Sequence, residues 1–364
     1  LAGKAVDDLD YTQDSTSFFS GLELKKPILP YWTPSLLLSY VYTNYKGDDP
    51  TTWYNNYETK SFRRKIEQQN EITPLDWYTG ILGFEYEVEK AANKGNFDED
   101  VSTKAIFLEN QFKVVKDHLF FTAGGRYTDH SMFGNKTTFR LTSSYLVNFA
   151  PKLHTKFHTS FGTGFKAPSL NDLYFPFWGN KDLKPEESKG FDIGVEQGFF
   201  DRKVLVDVTY FYNRFTDLIA AGPMWQAENV KRAQAKGVEY NLSVSPIEEV
   251  SANIAYTFTD SEDKSTGKQL PRRPKHKGSI LFDIKPIKNL SVVPSYTFAY
   301  KRTDDAKGTP ADNYGKVDIS TTYDVTKNFQ FFGRIENLFD REYEEVRSYT
   351  SPGRSFFAGV KASF

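Results

Sequence analysis

Five histidines, His118, His130, His154, His158 and His276, are the residues of this 364-residue chain best suited to proton transfer or metal ligation. Hydrolysis by a hydroxyl nucleophile needs one of them beside a serine and a carboxylate. His154 and His158 are four apart. In a strand rising about 3.3 Å per residue they share a face yet stand about 13 Å apart, too far to grip one ion directly. Ordinary polar packing is the expectation for all five. Cysteine is absent, which removes disulfide scaffolds, thiolate metal sites, iron–sulfur clusters and thiol nucleophiles. Asp98, Glu99 and Asp100 place three acids in what reads as a loop, without EF-hand spacing around them. The expectation is no catalytic residue, no metal site and no cofactor.

Rings and cations in the connecting segments offer a second kind of chemistry. Tyr174, Phe175, Phe177 and Trp178 cluster in one loop, where they can stack on a flat ligand. Trp53, with Tyr54 and Tyr57, sits in another, and Trp225 in a third. Arg272 and Arg273, with Lys275 and Lys277, make a basic loop able to hold phosphates or an anionic ligand. Each has a plainer reading beside it: rings that pack a loop onto its neighbours or sit at a lipid interface, and cations that are simply solvated.

The elements that position these residues follow from composition and period. Lys and Arg total 46 against 47 Asp and Glu, a net charge of −1, so a basic nucleic-acid footprint is missing. There are 32 Phe, 22 Tyr and 5 Trp, yet mean hydropathy is −0.56. A transmembrane β-barrel combines those properties, because its lumen is polar and its interfaces carry rings. No apolar run approaches the roughly 20 residues of a membrane helix; Leu36–Val41 is the longest. The opening residues Leu1–Lys4 show no signal-peptide pattern.

Period two recurs. Val204, Val206, Val208, Tyr210 and Tyr212 alternate with a mostly polar set, and so do Leu290, Val292, Pro294, Tyr296, Phe298 and Tyr300. Phe356, Ala358, Val360, Ala362 and Phe364 close the chain in the same way. The opposite faces carry Lys316, Asp318, Arg334, Glu336 and Lys361. Alternation alone fits a soluble sandwich as well as a barrel with a wet lumen. Connection lengths separate the two. Short connections (148–152, 199–203, 246–250, 286–290, 325–329) alternate with long ones (93–101, 166–188, 216–231, 259–275, 301–313, 340–354). Short turns on one rim and long loops on the other are a property of outer-membrane barrels. Trp32 and Trp77 flank short turns, where an inner-leaflet ring girdle belongs.

About 17 strands are expected. The last must descend to the short-turn side and, counting back, so must the strand near 15–24. Single-chain bacterial barrels have even strand numbers, so this reading makes the chain part of a larger barrel.

From Phe161 onward the sequence resembles the barrel of TonB-dependent outer-membrane receptors, most nearly those for cobalamin and catecholate siderophores. The stretches that carry the resemblance are Phe161–Tyr174, Gly179–Glu187, Tyr210–Ile219, Asn229-Val230, Gly237-Val238-Glu239, Leu270–His276, Glu336–Tyr343, Pro352-Gly353-Arg354 and the terminal Phe364. The resemblance implies an all-β transmembrane antiparallel barrel of 22 strands around a plug domain. Residues 1–364 would supply strands six to twenty-two, with the plug and the first strands outside this chain. It further implies location in the outer membrane, contact with lipid and lipopolysaccharide, and a TonB partner reached through the plug. The ligand would be large and scarce, cobalamin first and a ferric siderophore as the alternative. Haem is disfavoured, since the loop 169–178 holds no histidine. A non-gated porin and an outer-membrane hydrolase remain as other classes.

Overall fold

The computed structural model describes residues 10–51, 56–115, 118–150, 152–222 and 226–363, with backbone only at 230 and 231. Seventeen strands form one antiparallel sheet. They are β1 (Thr12–Lys25), β2 (Trp32–Asp48), β3 (Tyr57–Leu75), β4 (Tyr78–Asn93), β5 (Phe97–Val115), β6 (Leu119–His130), β7 (Gly134–Ala150), β8 (Leu153–Lys166), β9 (Glu186–Phe199), β10 (Val204–Ala221), β11 (Ala227–Ile247), β12 (Val250–Asp263), β13 (His276–Ile287), β14 (Leu290–Tyr300), β17 (Tyr314–Asp324), β18 (Phe329–Glu336) and β19 (Ser355–Ala362). A two-residue hairpin, β15 (Arg302–Thr303) with β16 (Pro310–Ala311), decorates one loop, and one short helix, α1 (Leu170–Tyr174), sits in another. Each strand of the sheet pairs with its neighbours in sequence. Among the described residues no ladder joins β1 to β19.

The expected alternation of faces is present. On β9, Phe191, Ile193 and Val195 are exposed, Ile193 at 57%, while Asp192, Gly194 and Glu196 turn to the other side. On β19, Phe356 is 71% exposed. Among the described residues no second layer covers these rings. The polar face is concave. Arg126 on β6 reaches Glu85 on β4, and His158 on β8 reaches Asp207 on β10 at 2.9 Å. Each contact skips a strand, a gap of about 9.6 Å at the usual spacing, which a sheet shortens only on the side toward which it curls. A polar inner wall and an apolar outer one suit lipid outside and water within.

Both β1 and β19 run from the long-loop rim to the short-turn rim, as the parity of the count requires. The short rim is built as expected, with connections at 199–204, 247–250, 287–290 and 324–329. Register shifts gather there, on β3–β4, β5–β6, β7–β8, β11–β12 and β13–β14. Bulges of this kind tighten the twist where strands turn back. Trp32 and Trp77 lie on this rim, Trp77 exposed.

Two expected long loops are strand instead. The segment 93–101 is a tight hairpin: β4 and β5 pair from Asn93↔Phe97 onward, and Gly95 takes the turn at φ 81°. The segment 216–231 continues β10 and β11, which pair out to Ala221↔Ala227. Polar residues there suggest a loop, but a hairpin that extends beyond its neighbouring strands pairs its own backbone and needs no apolar face. Asp98, Glu99 and Asp100 accordingly lie on a strand, not in a loop, and Asp98 pairs with Lys90 at 2.8 Å.

Candidate functional site

The loop 167–185 joins β8 to β9 at the long-loop rim and lies across the concave side. Ser169 caps α1, accepting from the Asp172 amide at 3.1 Å, while Asp172 Oδ2 accepts from the Ser169 amide at 3.0 Å. This reciprocal capping box lets a five-residue helix hold its shape. The other carboxylate oxygen, Asp172 Oδ1, accepts from Trp178 Nε1 at 3.1 Å, so one side chain ties both ends of the loop. Leu170 packs on Ala91 and Val101 of the β4–β5 hairpin. Leu173 packs with Leu183 and Ala227. The β10–β11 hairpin clasps the far side: the Ala227 amide donates to Trp178 O at 2.7 Å, and Asn180 Nδ2 to Ala227 O at 2.9 Å. Extension of that hairpin, which the sequence did not reveal, is what makes the clasp possible.

The four rings of this loop divide. Tyr174 is packed, with Phe97 at 6.1 Å, Lys181 over its ring at 4.9 Å and its hydroxyl 3.5 Å from Met132 Sδ. Burial, followed by the charges of Glu99 and Asp100, pushes its phenol up from the ordinary 10.0. Trp178 belongs to the buried cluster with Leu173. Phe175 lines a cavity together with Tyr45, Tyr57 and Asn171. Phe177 alone stands out, 89% exposed at φ 65°. Packing therefore claims Tyr174 and Trp178, and the loop presents Phe175 inward and Phe177 outward. Trp53 and Trp225 lie outside the described residues.

The basic loop is tied down as well. Arg272 and Arg273 are exposed, but Arg272 Nε is 3.6 Å from Asp304 and its amide donates to Thr303 O at 2.7 Å. Arg273 Nη1 reaches Arg272 O, at 3.5 Å. The organising cation of this region is Arg302, 7% exposed. Its guanidinium donates to Asp312 O (2.9 and 2.7 Å), Glu345 O (2.6 Å) and Glu344 O, and covers Tyr314 at 5.0 Å. Asp304 Oδ1 accepts from the Arg347 amide at 3.1 Å. Three loops, 264–275, 301–313 and 337–354, are thus stitched into one body. Carbonyl ligation of this kind carries no sequence signal, because any residue supplies a carbonyl.

Among the described residues none of the five histidines joins a hydrolytic triad. His118 Nδ1 pairs with Leu146 O (2.8 Å), His154 Nδ1 with Asn148 (2.7 Å) and His276 Nδ1 with Tyr256 (2.7 Å), while His130 Nδ1 accepts from the Met132 amide (3.1 Å). His158 Nε2 meets Asp207 Oδ2 at 2.9 Å, and among the described residues no hydroxyl bonds to its ring. No group of three or more potential metal ligands gathers among the described residues.

Comparison with known proteins places these features. Residues 3–338 match the family described as "TonB dependent receptor-like, beta-barrel". The vitamin B12 transporter BtuB of Vibrio vulnificus (strain YJ016) is 30% identical over 320 residues, covering 84% of this chain and 50% of that protein. Among solved structures, the siderophore receptor PirA from Acinetobacter baumannii superposes with a TM-score of 0.79 at 18% identity, covering 97% of this chain and 63% of that one. The ferric enterobactin receptor PfeA from Pseudomonas aeruginosa gives 0.77 at 18%, covering 96% and 62%. The chain spans about half the length of the curated relatives it matches.

Proposed function

The chain belongs to the TonB dependent receptor-like β-barrel family, and from that membership we propose that it is the barrel portion of an outer-membrane receptor that takes up a large, scarce ligand with energy supplied through TonB. The ligand is a cobalamin in the first reading, because relatives 30% and 31% identical are vitamin B12 transporters. A ferric catecholate is the second, because siderophore receptors share the fold.

The observation that carries the proposal is the family match over residues 3–338. The geometry supports it. Exposed apolar rows on the convex face suit outer-membrane lipid, and cations on the long loops suit lipopolysaccharide phosphates. The long-loop rim carries two braced loop bodies, one around α1 and one around Arg302, that frame an entrance. Binding there, followed by rearrangement of a plug under TonB, moves the ligand without covalent chemistry. The work lies in the difference in ligand affinity between resting and energised states.

Equilibrium binding of cyanocobalamin and of ferric enterobactin to the full-length protein tests this. Saturable binding of cyanocobalamin is expected. Binding of ferric enterobactin alone moves the assignment to the second ligand. Binding of neither, with steady ion conductance in a planar bilayer, replaces the receptor by a porin.

A further inference from the structure

Between α1 and the concave wall of β2 and β3 lies a cavity of about 370 Å³. A space of about 300 Å³ adjoins it through Tyr45, Thr59 and Asn171, which line both. The rings of Tyr45, Tyr57 and Phe175 supply its apolar surface. Its polar groups are unspent. Asn171 is exposed on α1, and among the described residues neither its carboxamide nor the hydroxyls of Tyr45 and Ser61 make a hydrogen bond.

The charges beside the cavity decide what it can hold. Arg63 is engaged by Glu87 at 3.9 Å and by Glu89, whereas Lys90 and its partner Asp98 alternate to the opposite face of the sheet. One cation therefore faces two carboxylates, and it is not free. An anion entering here meets a wall of net charge −1 and has to draw an arginine away from two carboxylates. A neutral molecule meets no such opposition, and uncharged donors and acceptors are what the cavity leaves open.

We propose that this cavity is a subsite for an uncharged, ring-bearing ligand. Its amide or hydroxyl groups are read by Asn171, Tyr45 and Ser61, and its flat face lies against Tyr45, Tyr57 and Phe175. The proposal rests on the receptor reading and deepens it, selecting a neutral ligand over an anionic catecholate.

The test measures binding of cyanocobalamin, maltotriose and ferric enterobactin to the full-length protein and to its Asn171→Ala and Phe175→Ala variants. Both positions lie in the loop, outside the strand ladders, and heat-modifiable gel migration verifies folding. A neutral probe is expected to bind with little dependence on salt and to lose about tenfold in affinity in each variant. Cyanocobalamin doing so identifies an amide-bearing macrocycle, maltotriose a saccharide. Neutral-probe binding unchanged in both variants overturns the subsite and leaves the receptor reading standing. Salt-sensitive binding of ferric enterobactin alone overturns the subsite and keeps a receptor. Binding of none of the three overturns both.

Discussion

His158 on β8 reaches over β9 to Asp207 on β10, Nε2 to Oδ2 at 2.9 Å, through the space where Gly194 carries no side chain. His158 and Thr209 both face Gly194 across the ladders. A Cβ built on Gly194 stands 2.5 Å from His158 Cε1 and 2.5 Å from Thr209 Oγ1. The glycine lets three strands share one polar contact on the concave wall.

Gly194→Ala is therefore expected to part His158 from Asp207 and to destabilise the sheet by about 1–3 kcal/mol, the usual cost of overpacking. Urea unfolding of the refolded protein, followed by gel migration, reads this. A midpoint equal to that of the unmodified protein removes the close-approach argument.

Asp172→Ala withdraws the capping box and the Trp178 bond together. The expected cost is about 1–2 kcal/mol, confined to the loop 167–185. Hydrogen exchange should quicken at Asp172, Leu173 and Phe175 while the sheet amides keep their protection. Unchanged loop protection means that the clasp from the β10–β11 hairpin alone holds the loop.

Acid should loosen the 304–309 turn. The Asp305 carboxyl is held below its ordinary 3.8, first by the Thr309 amide and then by the Thr309 hydroxyl. A depressed carboxylate contributes order that is fully present above its unfolded value, and the contribution fades as pH falls through the lower folded value. Proton titration of Asp305 by NMR in detergent micelles should place its midpoint below 3.8, with the Thr309 amide shift following the same curve. The variant Asp305→Asn should abolish that coupled change. A midpoint at or above the ordinary value contradicts the assignment.

By itself the sequence determined the faces and the short rim. Alternation of Phe191, Ile193 and Val195 with Asp192 and Glu196 is a local property, since successive side chains in a strand point opposite ways wherever the strand lies. Short turns such as 247–250 and 287–290 are local too, which is why the strand count of about 17 agrees with the sheet. Only the tertiary structure decided the rim above. Residues 93–101 and 216–231 are polar whether they coil or pair, and pairing became visible only with both strands side by side. Tyr174, Phe175, Phe177 and Trp178 are equivalent as a string of rings. Their division into packed, inward and outward depends on Phe97, Ala227 and Tyr45, which lie some 50 to 130 residues away along the chain. Arg302 finds its partners among backbone carbonyls, which no residue type advertises. Contacts of that kind are decided by how the chain closes on itself, and a linear pattern does not record them.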